Sequence, residues 1–526
     1  MDPLLPVGWS RPALAELVVD VVAVNPGSDP EAPICYIDIG AIDSATGTVA
    51  TSKIISGRDA PSRARQRIKT GDVLFSLVRP GLRAIASVPA LTNPVASTGF
   101  CVLSAASGVE PRFLYHWVRN EEFLRAVVAL QRGVSYPAVR ALDLLRQAVP
   151  LAPSLEQAKI VERLEALLSN LDAGVAELHA AQRKLTVYRQ SVLKAAVEGG
   201  LTAGWRDEPR AGDSTGPETG EQLLQRILVE RRLHWEAKQL ALSKQHGKAQ
   251  AKDWKSRYVE PVALDVTALP GLPDGWVWAS LGQLLYELHS GAATTSGRDV
   301  TPFPVLKSSA VRAGVVDFAA VNYLQASQSE RQDNYLAPGD VLITRLSGSI
   351  DYVGCCAVVG ALPVAGIQYP DRIFCGKLPP SLQWLGDWLV ICFAGAHVRR
   401  RIELATKSGA GHKRISLGDL HPMPIPLPPP AEIAQLIMQT GAHLQSLALL
   451  AADVERGLRL AAAQRRNLLK CAFSGQLVPQ DPADEPACAL LARIQAARVA
   501  RAAKATAQAP KSRPRPPASR TRTSAC

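Results

Sequence analysis

Two stretches of the chain place apolar residues at helical spacing over about 44 positions. In the first, Ile160, Val161, Leu164, Leu167, Leu168, Leu171, Val175, Leu178, Leu185, Val192 and Leu193 recur at intervals of three, four and seven, with polar residues between them. Ser154 precedes the run with Gln157 three positions on, the spacing of a capping box, and Gly199-Gly200 stops it. The second stretch runs from about Ala431 to Ser474 and stops at Gly475; it lacks the capping pair and carries Gly441 and Gly457. Each predicts a helix of about 66 Å at 1.5 Å per residue. A helix of that length cannot bury its stripe alone, so the two are expected to pack as an antiparallel coiled coil. About 150 residues precede each helix, with short apolar runs such as "GDVLFSLV" and "GDVLITRL" between Gly, Pro, Asn and Asp. They read as strands and turns with a few helices, which predicts α+β domains.

The two halves repeat one another. Leu5-Pro6-Val7-Gly8-Trp9 returns as Leu272-Pro273-Asp274-Gly275-Trp276, an offset of 267, and Gly71-Asp72-Val73-Leu74 returns as Gly339-Asp340-Val341-Leu342, an offset of 268. Asp143-Leu144, Pro150-Leu151 and Leu193-Lys194 return 276 residues later, and "LLQRI" (223–227) returns as "LLARI" (490–494). Matches in one order with a slowly drifting offset mean tandem duplication. The expected organisation is a globular domain over 1–150, a long helix over 151–200, and a charged helical insert or linker over 201–270. A second globular domain over 271–426, a second long helix over 427–480, and a short helix with a basic disordered tail over 481–526 follow. The insert, around "EQLLQRILVERRLHWEAKQL", reads as an amphipathic helix whose Leu223, Leu224, Ile227 and Leu228 dock on a partner subunit or pack on the chain's own C-terminal copy at 490–494.

Composition narrows the function classes. With 526 residues, 47% apolar and 20% charged, the chain can bury large cores. It has no apolar run of membrane-spanning length, and Met1-Asp2-Pro3 is no signal peptide, so a cytoplasmic location without a membrane is expected. Nine cysteines without C-x-x-C pairs argue against a disulfide framework or a zinc ribbon, and Cys355-Cys356 reads as buried strand. The net charge of +12 is mostly the C-terminus: Pro486 to Cys526 holds nine Lys/Arg and no acid. The predicted globular domains are nearly neutral, with 15 basic against 13 acidic residues over 1–150 and 13 against 12 over 271–426. Any nucleic-acid contact must therefore rest on local patches, and the isolated chain is expected to bind DNA weakly.

The motifs have a familiar order. "LPVGW" and "LPDGWVWASLG" opening the halves resemble the specificity subunit of type I restriction–modification enzymes, as do "VPLAPSLEQAKIVERLEALL" with "RQSVLKAAVEGGL" and "IPLPPPAEIAQLI" with "RRNLLKCAFSGQLVPQD". The likeness covers residues 4 to 500; Glu432-Ile433 stands where Glu-Gln is usual, and the 202–270 insert and the tail lie outside it. The resemblance implies two target recognition domains, each reading half of a bipartite DNA target, and a coiled coil that sets the unread spacer. It also implies a chain that is not catalytic alone, two methyltransferase subunits as partners, and restriction/translocase subunits that can join them. No cofactor is then bound by this chain, and S-adenosylmethionine belongs to the methyltransferase subunit.

The residues agree with that reading. No adenine-methyltransferase N-P-P-[FY] loop, P-loop, G-x-S-x-G elbow or H-E-x-x-H helix occurs. The nearest nuclease-like string, Pro370-Asp371 with Lys377, has Cys375 where a second metal carboxylate belongs. Residues 399–414 and 58–69 are locally basic, and cations with glycine-rich loops suit phosphates and base edges. The candidate DNA-contacting residues are Arg79, Arg83, Arg132, Tyr136 and Arg140 in the first half, and Arg345, Ser347, Lys407, His412, Lys413 and Arg414 in the second. No metal site is expected. Two other readings stand beside this one: a coiled-coil scaffold whose heads bind proteins, and a self-sufficient nuclease or methyltransferase, which lacks its motifs.

Overall fold

The computed structural model describes residues 5–133, 135–208, 218–247, 252–291, 296–297, 303–324, 334–409 and 411–508. The basic tail beyond 508 and parts of the 201–270 stretch lie outside the described residues. The chain forms two compact units: residues 1–179 with 455–526, and residues 180–454.

In the first unit, Val18–Val19, Phe100–Ala105, Val73–Ser76 and Ile85–Ser87 form an antiparallel sheet in that order. A second sheet orders Lys53–Ser56, Pro33–Ile37, Pro94–Ser97 and Ala64–Arg67, with one parallel pairing between the two central strands. The "GDVLF" strand is apolar throughout because both of its faces are buried. Val73 and Phe75 point into one core, and Leu74 points into another with Ala86 and Val102. The second unit repeats the arrangement: Val341 and Ile343 face one core and Leu342 the other, in a sheet ordered Glu287–Ser290, Ile373–Lys377, Val341–Thr344, Cys356–Val358. Cys355 and Cys356 are both buried, and burial pushes both thiols up.

The long helices span Ser154–Val197 and Pro430–Phe473, 44 residues each. Ser154 and Gln157 do not close a capping box. Ser154 already lies within the helix and donates to Gly108 O (2.6 Å); the Gln157 amide donates to Ala152 O (2.8 Å) and accepts from Glu110 N (2.9 Å). Both side chains tie the helix start to its globular domain, because these carbonyls and amides would otherwise be unpaired at a buried junction. Pro430 occupies the first position of the second helix, where its missing N–H costs nothing. Beyond the helix ends, Gly199 and Gly475 adopt left-handed φ of +73° and +69°.

Within each unit the start of one long helix lies beside the end of the other, antiparallel. In the first unit Leu164 and Leu168 share a core with Leu468 and Ala472, Asp172 pairs with Arg465, and Leu178 faces Gly457. In the second, Leu193 and Val197 share a core with Ile433 and Leu436.

A further helix closes each unit, and here the structure amends the sequence reading. The helix Gly220–His246 buries Leu223, Leu224 and Ile227 against Trp276, Leu281 and Leu284 of the second globular domain. Its copy, Ala487–Gln508, buries Leu490 and Ile494 in the core of the first. The start of the "insert" is thus part of the duplicated plan. It docks on the chain itself, though not on its own copy. Paired backbone bonds mark the equivalence: Gly220 N donates to Gly275 O (2.7 Å), and Ala487 N donates to Gly8 O (2.8 Å).

Candidate nucleic-acid interface

In the second unit, Lys407–Gly409 and His412–Arg414 form a hairpin, and Leu346–Ser347 adds a third strand along His412–Arg414. The register sets Ser347 against Lys413, and Lys407 against Arg414. Gly411 turns the hairpin at φ +79°, a conformation that favours glycine. Like charges directly opposed across strands destabilise a hairpin, yet Lys407, Lys413 and Arg414 take part in no ion pair among the described residues. Asp419 acts on Lys407 only weakly: the Ser416 hydroxyl holds its carboxyl below the usual range, with only a small contribution from Lys407. The hairpin therefore presents uncompensated positive charge. Arg345 differs, since its guanidinium donates to Asp371 O (3.2 Å) and lies over the Phe374 ring; it props the third strand from inside. Ser347 is half-buried in that strand.

The first unit has the equivalent element at the equivalent place. Arg132 N and Ala138 O bond at 2.9 Å, Ala138 N and Arg132 O at 3.0 Å, and Val78 bridges Ala138 as the third strand. Gly133 has φ +93°. Tyr136 projects from this hairpin with 73% of its surface exposed, and the Arg79 guanidinium lies 4.9 Å from its ring centre. Arg79 and Arg83 bracket the turn Pro80–Leu82, and both are left-handed (φ +47° and +58°). Non-glycine residues in that region are strained, and such strain persists where surrounding structure enforces it. The structure thus gathers Arg79, Arg132 and Tyr136. Arg140 is exposed just beyond, at the start of the short helix Ala141–Leu145. Arg132 is 3.8 Å from Asp143, and Arg83 turns away to Glu121 (2.9 Å).

The two basic runs resolve into parts. Arg399 donates to Val353 O and Ile350 O and pairs with Glu403, so it clamps a loop. Arg400 and Arg401 border a separate cavity with Trp278 and His397. In the 58–69 run, Arg58 pairs with Glu31, and Arg65 donates to Asn25 and Ser62 O. The third strands at 77–79 and 346–347 carry no signal in the sequence, because a two-residue pairing has no period to detect.

Among the described residues no group of His, Cys, Asp and Glu is arranged to hold a metal, and no helix is long and apolar enough to cross a membrane. No family model matches the chain. It is 26% identical over 417 residues to the EcoKI type I restriction enzyme specificity subunit of Escherichia coli K12, spanning 76% of this chain and 75% of that one. A solved structure of the type I R-M system aligns with a TM-score of 0.65 at 25% identity, over 90% of this chain and 99% of its own. The HsdS subunit of Thermoanaerobacter tengcongensis aligns at 0.50 and 25% identity, over 90% and 98%. The chain is similar to type I restriction specificity subunits over most of its length. Both hairpins sit immediately before the short helix and strand that lead into a long helix (Ala141–Leu145, then Ser154; Leu417–Leu420, then Pro430).

Proposed function

We propose that this chain is the DNA sequence-specificity subunit of a type I restriction–modification complex, without catalysis of its own. In this reading each globular domain reads one half of a bipartite duplex target through its hairpin, and the paired long helices fix the unread gap. The observation that carries it is the uncompensated Lys407–Arg414 cross-strand pair, set on a hairpin whose counterpart exposes Tyr136 and Arg79. Phosphate oxygens would relieve that repulsion, and the neighbouring Lys413 and His412 can reach base edges or backbone. Arg79, Arg132, Tyr136 and Arg140 serve the first half-site; Ser347, Lys407, His412, Lys413 and Arg414 the second, with Arg345 and Arg83 supporting them. Two methyltransferase subunits carrying S-adenosylmethionine supply the chemistry, and restriction/translocase subunits can join.

The test is to co-express the chain with its neighbouring methyltransferase subunit and map methylated adenines. A single motif with two short halves and a fixed gap is expected. Replacing Lys407, Lys413 and Arg414 with Gln should abolish methylation at that motif while the complex still assembles. Unchanged methylation in the triple variant would remove the hairpin from the interface, and a complex that assembles without salt-dependent DNA binding would favour the scaffold reading.

A further inference from the structure

A cavity of about 480 Å³ opens in the first unit. It lies between the turn at Ala45–Thr46, the helix Pro111–Val118, and the stretches of the two long helices around Asp172 and Arg465. The volume falls in the range of small-molecule sites. Five arginines and three carboxylates line it, and each carboxylate is already taken. Glu165 accepts from His116 (2.9 Å) and Arg112 (2.6 Å), the His116 bond first holding its carboxyl down to about 2. Glu121 pairs with Arg83, and Asp172 with Arg465.

Among the described residues, Arg119 and Arg466 pair with no carboxylate. Arg119 donates only to neutral oxygens, Tyr115 Oη and Thr46 O. Its guanidinium rests against the bare backbone of the turn: a Cβ on Gly47 would lie 1.1 Å from its nitrogen. Tyr115 donates to Gly47 O (3.1 Å) and fixes the turn from the other side. The Arg119 cation also stands close enough to Arg465 to disfavour its charge, second only to burial. The duplicated fold does not require the cluster. The offset of 276 sets Gly441 and Ala448 where Glu165 and Asp172 stand.

We propose that this cavity is an anion site in which Arg119 and Arg466, beside Arg465, bind a phosphate group. Leu124, Leu168 and Leu469 line the same space and suit an attached organic moiety. The phosphate comes from either a free nucleotide-sized compound or a DNA backbone. Two arginines supply the charge and the forked donors that phosphate oxygens accept. The inference does not depend on the hairpins reading DNA.

The full chain, Arg119→Gln and Arg466→Gln are compared in two assays. The first is thermal unfolding with millimolar pyrophosphate or ATP against sodium chloride of equal ionic strength. The second is duplex DNA binding as a function of salt. If the ligand is free, pyrophosphate and ATP raise the melting temperature of the parent chain, and each variant needs at least about tenfold more ligand (1.4 kcal/mol per decade). If the ligand is the DNA backbone, those compounds do nothing, and each variant lowers the slope of log affinity against log salt by about one. Arg466 is exposed and holds no side-chain bond among the described residues, so Arg466→Gln stays informative should Arg119→Gln loosen its turn. An Arg466→Gln protein unchanged in both assays overturns the proposal. Lys407→Gln, which leaves the cavity intact, separates a failure here from a failure of the hairpin reading.

Discussion

The two units fasten their globular domain to a long helix by the same contact, and they complete it differently. In the second, Trp276 Nε1 donates to Glu432 (2.9 Å), while Thr202 Oγ1 donates to its other oxygen (2.6 Å) and Arg206 pairs with it. In the first, Trp9 Nε1 donates to Glu156 (3.0 Å), but the second Glu156 oxygen is buried without a partner. The offset of 276 sets Val478 and Pro482 where Thr202 and Arg206 stand, so neither the hydroxyl nor the cation recurs at those positions. Burial accordingly pushes the Glu156 carboxyl up, with Trp9 only partly opposing it. Geometry can survive duplication while the electrostatics that justify it are lost from one copy. A buried carboxylate costs free energy unless it is paired and hydrogen-bonded.

The largest expected effect breaks the complete copy. Arg206→Ala leaves Glu432, 1% exposed, as an uncompensated buried charge and should destabilise the chain by about 3 kcal/mol in a denaturant melt. A loss below about 1 kcal/mol would mean that Trp276 and Thr202 suffice. A smaller effect sharpens the comparison from the other side: Val478→Thr should supply the missing hydroxyl and stabilise by about 1 kcal/mol. The subtlest test is pH. A carboxyl whose pKa is raised by folding takes up protons more readily in the folded state, so its penalty is absent in acid and grows as pH rises through the glutamate range. Glu156→Gln should therefore raise the melting temperature at neutral pH, and the gain should fade on acidification. A gain that is constant with pH would show that Glu156 does not ionise in place.

Much of this was legible in the sequence. The long helices announced themselves through periodicity and their glycine stops, because 44 residues give a stripe many chances to repeat. Lys407, Lys413 and Arg414 could be read as a basic glycine-rich loop because cations and glycines alternate there, but that the loop is a hairpin with a third strand could not. Pairings between distant segments could not be read. Nothing near Arg399 says that it serves the carbonyls of Ile350 and Val353, and nothing near Arg119 reveals Arg465, 346 positions away. The apolar stripes at 223–227 and 490–494 showed that something must cover them, not which domain does so. Propensity and period are local, and partner choice is tertiary.

That choice of partner has a consequence for synthesis. The second unit is one continuous stretch of chain, 180–454, whereas the core of the first needs Leu468, Phe473, Leu490 and Ile494. At about 5–20 residues per second, the segment around Leu168 leaves the ribosome roughly 15–60 s before the helix that must cover its neighbours. The domain translated first is thus the last that can finish, and it waits with open apolar surface while the later one is already complete. Chaperone dependence during translation should accordingly fall on the amino-terminal domain.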